Sequence, residues 1–189
     1  MISRVLISGG GSGGHIQPAL AIADEILRRY PKVQIRFVGA KGRMEMEKVP
    51  NAGYEIDGLW ISGLQRSLIN LKNISFPFKL IHSLIKAGTL LNRYNPEVVI
   101  GVGGYASGPL LYRAYRKRIP TLIQEQNSFP GITNRILANR VNKVCAGFPG
   151  LDIWFPKDRI VETGNPLREG VLKLADTKSS PSKTVAKSH

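Results

Sequence analysis

Apolar residues recur along this chain in short blocks, each broken by glycine or proline, and the blocks alternate between two periods. Arg4-Val5-Leu6-Ile7-Ser8 is a continuous apolar run closed by Gly9-Gly10-Gly11-Ser12-Gly13-Gly14, the pattern of a buried strand feeding a tight loop. Pro18 then stands where a first helical turn accepts proline, and Ala19, Leu20, Ile22, Ala23, Ile26 and Leu27 recur at helical spacing up to Tyr30-Pro31. Val33 to Val38 is the next strand, closed by Gly39. The unit then repeats: a strand at Glu97 to Val102, a second glycine loop at Gly103 to Pro109, and a helix from Leu110 to Arg116. Thr121 to Gln124 predicts a third buried strand, Gly131 to Ala138 a helix, and Lys143 to Ala146 and Ile160 to Thr163 two short strands. Strands alternating with helices predict an α/β fold with one doubly wound parallel sheet covered on both faces. That domain is expected to fill residues 1–174. Residues 175–189 lose all periodicity, are rich in Ser and Lys, and read as a disordered basic tail.

Composition changes this picture little. At 42% hydrophobic and 21% charged the 189 residues suit one globular domain. The single cysteine, Cys145, forms no internal disulfide, and no apolar run approaches the ~20 residues of a membrane span. The start of the chain carries no signal-peptide pattern, so a cytoplasmic protein is expected.

Charge changes it more. The net +14 calls for an anionic partner, and no acid occurs between Asp57 and Glu97, where Arg66, Lys72, Lys79, Lys86 and Arg93 fall. A helix from Pro77 would turn Leu80, Ile81, Leu84, Ile85, Gly88 and Leu91 to the core, with Lys79, Lys86 and Arg93 solvated opposite them. Ahead of it, residues 68–78 mix apolar side chains with Lys72 and break at Pro77, the character of a peripheral membrane contact. Aromatics make up only 7% of the chain and no recognition motif is present, so nucleic acid is not expected as a partner.

Gly9, Gly11 and Gly14 satisfy G-x-G-x-x-G between a strand and a helix, where bare backbone and a helix N-terminus attract an anion. A dinucleotide site would need an acid after the second strand, but Gly39-Ala40-Lys41-Gly42-Arg43 is basic there. A phosphate-binding loop of the ATPase kind would need Lys-Ser/Thr where His15-Ile16 stands. What remains is a glycine loop presenting His15, whose imidazole at a helix N-terminus suits a general base near neutral pH. A histidine merely packed at the helix start is the plainer alternative. The second glycine loop, at the carboxyl end of a parallel strand, makes two anion cradles and suggests a diphosphate ligand. Glu125-Gln126-Asn127 and Gly164-Asn165-Pro166-Leu167-Arg168 follow other strands and are either ligand contacts or caps and turns. With His15, His82 and His189 scattered and no Asp-x-Asp pair, neither a metal nor any other cofactor is expected.

In order and spacing, GGGSGGHIQPALAIA (9–23), GRMEMEKVP (42–50), ISGL (61–64), GVGGYASGP (101–109), EQNSFPGITNRILA (125–138), AGFPG (146–150) and GNPLR (164–168) resemble the N-terminal half of the MurG family. These transferases add N-acetylglucosamine to the lipid-linked peptidoglycan precursor. The resemblance implies the N-terminal, acceptor-side domain of a GT-B glycosyltransferase. It implies two catalytic residues, His15 as active-site base and Glu125 close to the acceptor sugar, and leaves open which of them takes the proton. It also implies Ser12, Gly13, Gly14, Asn127 and Arg168 toward the donor UDP-GlcNAc, and Gly103, Gly104 and Tyr105 around the acceptor diphosphate. Leu71, Lys72, Ile74, Phe76, Phe78 and Lys79 would meet the inner face of the cell membrane. The implied reaction is inverting: the C4 hydroxyl of undecaprenyl-diphosphate-linked MurNAc-pentapeptide attacks the anomeric carbon and UDP leaves. The donor-binding domain of the family has no counterpart here. The chain is therefore expected to be inactive alone and to act with a separate donor-binding chain, the alternatives being a non-catalytic membrane-associated module or a truncated remnant.

Overall fold

The computed structural model describes residues 2–63 and 74–168. Seven strands form one wholly parallel sheet in the order β3-β2-β1-β4-β5-β6-β7. They are β1 (Arg4–Ser8), β2 (Gln34–Ala40), β3 (Glu55–Leu59), β4 (Val98–Gly101), β5 (Thr121–Glu125), β6 (Lys143–Ala146) and β7 (Ile160–Glu162). Between them run α1 (Gly13–Arg29), α2 (Glu45–Asn51), α3 (Phe76–Tyr94), α4 (Ser107–Arg116) and α5 (Ile132–Leu137). The doubly wound α/β expectation holds.

Alternation along the central strands explains the two-sided burial. Val5 and Ile7 of β1 join Phe37, Ile100 and the α1 residues Ile16, Ala19, Leu20 and Ala23 in one core. Leu6, between them, points the other way into a second core with Val38, Val99, Leu90, Leu91, Leu110 and Leu111 beneath α3 and α4. Both faces of β1 are thus apolar, as a central parallel strand requires. Sheet order places β1 beside β4, with Ser8 paired to Gly101. The chain leaves these neighbours toward opposite sheet edges, so their carboxyl ends form the switch point at which open α/β sheets bind ligands.

Four elements differ from the sequence expectation. β3 and α2 lay hidden because Glu55-Ile56-Asp57-Gly58-Leu59 is a polar edge strand and α2 is only seven residues long, with Pro50 inside it. α1 begins at Gly13, so Pro18 lies within the helix and has no N–H to offer the Gly14 carbonyl.

The fourth is α3, which faces differently than expected. Ser83, Ala87, Gly88, Leu90 and Leu91 are buried, whereas Ile81 and Ile85 stand in solvent. Lys79 and Lys86 are not a solvated face. Lys86 Nζ donates to the Gly58 carbonyl at 2.9 Å, and Lys79 Nζ donates to Ser62 Oγ at 3.2 Å while lying over the Trp60 ring. Their aliphatic stems cover the edge of the sheet.

Leu6 is fully buried between central strands and helices, so Leu6→Ala should cost about 2–5 kcal/mol of unfolding free energy, read by urea denaturation. Ile153→Ala, at a residue 77% exposed, should leave the midpoint nearly unchanged.

Candidate functional site

The two glycine loops meet at the carboxyl edge of β1 and β4. Gly103 (φ +101°) and Gly104 (φ +87°) occupy backbone conformations that other residues rarely adopt. Neither has room for a side chain. A β-carbon on Gly103 would lie 2.6 Å from His15 Cδ2 and 2.7 Å from Nε2, and one on Gly104 would strike the Gly10 carbonyl. Close approach of the loops therefore requires glycine at both positions. Buried Ser107, at the start of α4, fastens the second loop: its Oγ lies 2.8 Å from the Gly103 carbonyl and 2.9 Å from that of Ser8. Ser8 Oγ in turn donates to the Val38 carbonyl at 2.8 Å.

His15 sits half-buried in the first turn of α1, its Nδ1 3.0 Å from Ser12 Oγ. Burial holds the imidazole below its ordinary value of 6.5, against the opposing pull of the Glu125 charge, the Gly10 backbone and the Glu45 charge. Loss of solvent is the leading cause of the lowering. Neither α1 nor α4 has a side-chain cap or an acid in its first turn. Gly13 faces open space, a β-carbon on Gly14 would meet only Ser12 Oγ at 3.8 Å, and Ser12 is exposed beside them. Tyr105, 42% exposed, packs its ring on Gly63, where a β-carbon would collide with it.

The structure brings His15, Ser12, Gly13, Gly14, Gly103, Gly104 and Tyr105 to this edge and places the other expected residues differently. Glu125 is 1% exposed, and both its carboxylate oxygens are occupied. Oε1 accepts from the Asn127 backbone N–H (3.0 Å) and from Asn127 Nδ2 (3.1 Å). Oε2 accepts from the Gly131 N–H (3.1 Å) and from Asn134 Nδ2 (2.9 Å). A carboxylate with four donors organises the loop into α5, which is a different task from receiving a substrate proton. Asn127 spends its amide on the same carboxylate. Arg168 is turned away: its Nε pairs with Asp24 at 2.8 Å, nine residues past His15 and so roughly 13 Å along α1, where Tyr54 also donates to Asp24.

Of the expected membrane residues, Ile74 and Phe78 are 65% and 68% exposed, while Phe76 packs on the core and Lys79 is engaged with Ser62. Leu71 and Lys72 lie outside the described residues, as do 169–189. Sequence reasoning missed Glu45, buried under the first loop. Its signal lay in Gly10 and Gly39, two glycines that leave room for its side chain. Among the described residues no cluster of His, Cys, Asp and Glu could hold a metal, and no helix is long and apolar enough to cross a membrane.

Fold and site together define a Rossmann-like α/β domain with two glycine loops and a histidine at its switch point. Residues 5–146 match the glycosyltransferase family 28 N-terminal domain. A relative from Christiangramia forsetii, named UDP-N-acetylglucosamine–N-acetylmuramyl-(pentapeptide) pyrophosphoryl-undecaprenol N-acetylglucosamine transferase, is 58% identical over 171 residues, 90% of this chain and 46% of its own length. One of the same name from Flavobacterium psychrophilum is 52% identical over the same shares. The crystal structure of Acinetobacter baumannii MurG superposes with a TM-score of 0.72 at 29% identity, over 88% of this chain and 46% of that one. A UDP-GlcNAc 2-epimerase from Neisseria meningitidis, with a TM-score of 0.64 at 16% identity over 94% of this chain and 51% of its own, shares the fold. The chain belongs to glycosyltransferase family 28. It spans about half the length of the curated relatives it matches.

Because burial lowers the His15 pKa, its imidazole should stay neutral to below pH 6.5; an NMR titration of the ring protons should give a midpoint under that value. A midpoint above it would mean that the charges of Glu125 and Glu45 outweigh burial.

Proposed function

We propose that this chain is the acceptor half of a transferase that moves N-acetylglucosamine from UDP-GlcNAc to the C4 hydroxyl of undecaprenyl-diphosphate-linked MurNAc-pentapeptide. The observation that carries the reading is a His15 imidazole held toward its neutral form between two glycine loops, in a chain 58% identical to a relative bearing that transferase's name. Gly103, Gly104 and the start of α4 receive the acceptor diphosphate on backbone N–H groups, with Tyr105 at the rim. His15 takes the C4 hydroxyl proton as the new glycosidic bond forms at the anomeric carbon. The bond to UDP breaks with inversion, and UDP departs with its electron pair. Ser12, Gly13 and Gly14, at the open first turn of α1, face the donor and stabilise charge developing on the leaving diphosphate. Glu125 and Asn127 position the loop ahead of α5, and Arg168 ties the segment after β7 to α1. Most donor contacts belong to a second domain, carried on the same or a separate chain. Transfer depends on it, because both substrates must be held together.

Membrane attachment forms part of the same reading. Phe78, Ile81 and Ile85 are 68%, 57% and 65% exposed and share one face of α3, with Ile74 just before it. Apolar side chains at that spacing on a strongly basic chain fit an anionic bilayer, so the domain sits peripherally on the cytoplasmic side of the cell membrane.

Two measurements test these assignments. Labelled transfer from UDP-GlcNAc to a lipid-linked muramyl acceptor should appear when a family C-terminal half is added, and His15→Ala should lower it by about tenfold or more. No transfer in any mixture, with the chain folded, would leave a binding module. Replacing Phe78, Ile81 and Ile85 together by Ser should weaken sedimentation with vesicles containing anionic lipid, and unchanged binding would remove α3 from the contact.

A further inference from the structure

We propose that Glu45 is a positioning residue of this site: its buried carboxylate fixes the first glycine loop against the end of β2, and thereby sets where Gly104 and His15 lie. Gly42, at φ +71°, turns the chain from β2 into α2 and delivers Glu45 beneath the loop, where it is 1% exposed. Oε2 accepts from the Gly11 N–H at 2.9 Å and Oε1 from the Ala40 N–H at 3.0 Å. Gly11 lies past the end of β1 and Ala40 is the last residue of β2, so one carboxylate joins the loop to the end of the neighbouring strand.

The surrounding shape fits the same task. A β-carbon on Gly10 would collide with the carboxyl group, and one on Gly39 would come within 2.6 Å of Glu45 Cγ. Gly10 is therefore held between the carboxylate on one side and Gly104, whose own β-carbon would strike the Gly10 carbonyl, on the other. Displacing Glu45 would release both loops, and with them the ring that a β-carbon on Gly103 would touch. Glu45 itself meets no substrate in this arrangement; it acts through Gly10 and Gly11. The proposal rests on the transferase reading only for its effect on rate.

The test has an arm free of that reading. In the wild-type chain, amide shifts of Gly11 and Ala40 should move on acidification with the same midpoint as the Glu45 carboxyl carbon. Shifts that ignore that midpoint would overturn the proposal. Glu45→Gln keeps the shape but offers a single acceptor oxygen, so hydrogen exchange at Gly11 or Ala40 should accelerate while the rest of the amide spectrum stays native. With a donor half present, the same variant should lower kcat on the order of tenfold with KM for UDP-GlcNAc nearly unchanged, the mark of misplaced groups. Protected amides and an unchanged kcat in Glu45→Gln would overturn it. Should Glu45→Gln not fold, the wild-type titration decides. Should wild type show no transfer, the function falls while the amide readouts still judge Glu45.

Discussion

The contact on which the rest of this domain depends is the one between two glycine loops with no space for a β-carbon. Parallel pairing of β1 with β4 brings Ser8 and Gly101 into register, so the loops that follow must emerge side by side. Gly104 lies on the Gly10 backbone and Gly103 on the His15 ring, both at positive φ. An L-residue at either position would meet backbone strain, and it would collide with the Gly10 backbone at one position and displace the His15 ring at the other. The sheet sets the distance between the loops, and the glycines make that distance bearable.

The same closeness decides the chemistry of His15. Packing against Gly103 removes water from the ring and disfavours its protonated form, while the charges of Glu125 and Glu45 favour it. Burial prevails, leaving a ring able to accept a proton near neutrality. The ring is only half-buried, which a base must be if a hydroxyl is to reach it.

Much of this was legible in the chain. β1, the first glycine loop and α1 announce themselves because a doubly buried strand is a bare apolar run and an anion loop is a bare glycine run. β3 and α2 were not, since an edge strand tolerates Glu55 and Asp57 and a seven-residue helix shows too few turns for a period. The orientation of α3 was misread because lysine counts as polar in any periodicity, yet Lys79 and Lys86 lay their stems along the protein and reach Ser62 and Gly58. Glu125 and Arg168 were legible as residues near strand ends. Their partners, Asn134 and Asp24, are contacts of the folded chain that spacing does not encode.

Glu45 and Glu125 also show how such an edge can be both rigid and receptive. Backbone N–H groups beyond the last ladder bond must find acceptors or water. At Gly11 and Ala40, and again at Asn127 and Gly131, buried carboxylates supply them. Each carboxylate carries a desolvation cost, which donors on both of its oxygens offset. The first turns of α1 and α4 receive no side-chain cap and no acid. Nothing acidic there offsets the positive ends of the two helix dipoles. The two acids lie beneath the loops with their oxygens engaged, so the polarity the crevice presents comes from uncapped helix ends. A surface arranged in this way favours an anionic ligand over a cationic one before any ligand has bound.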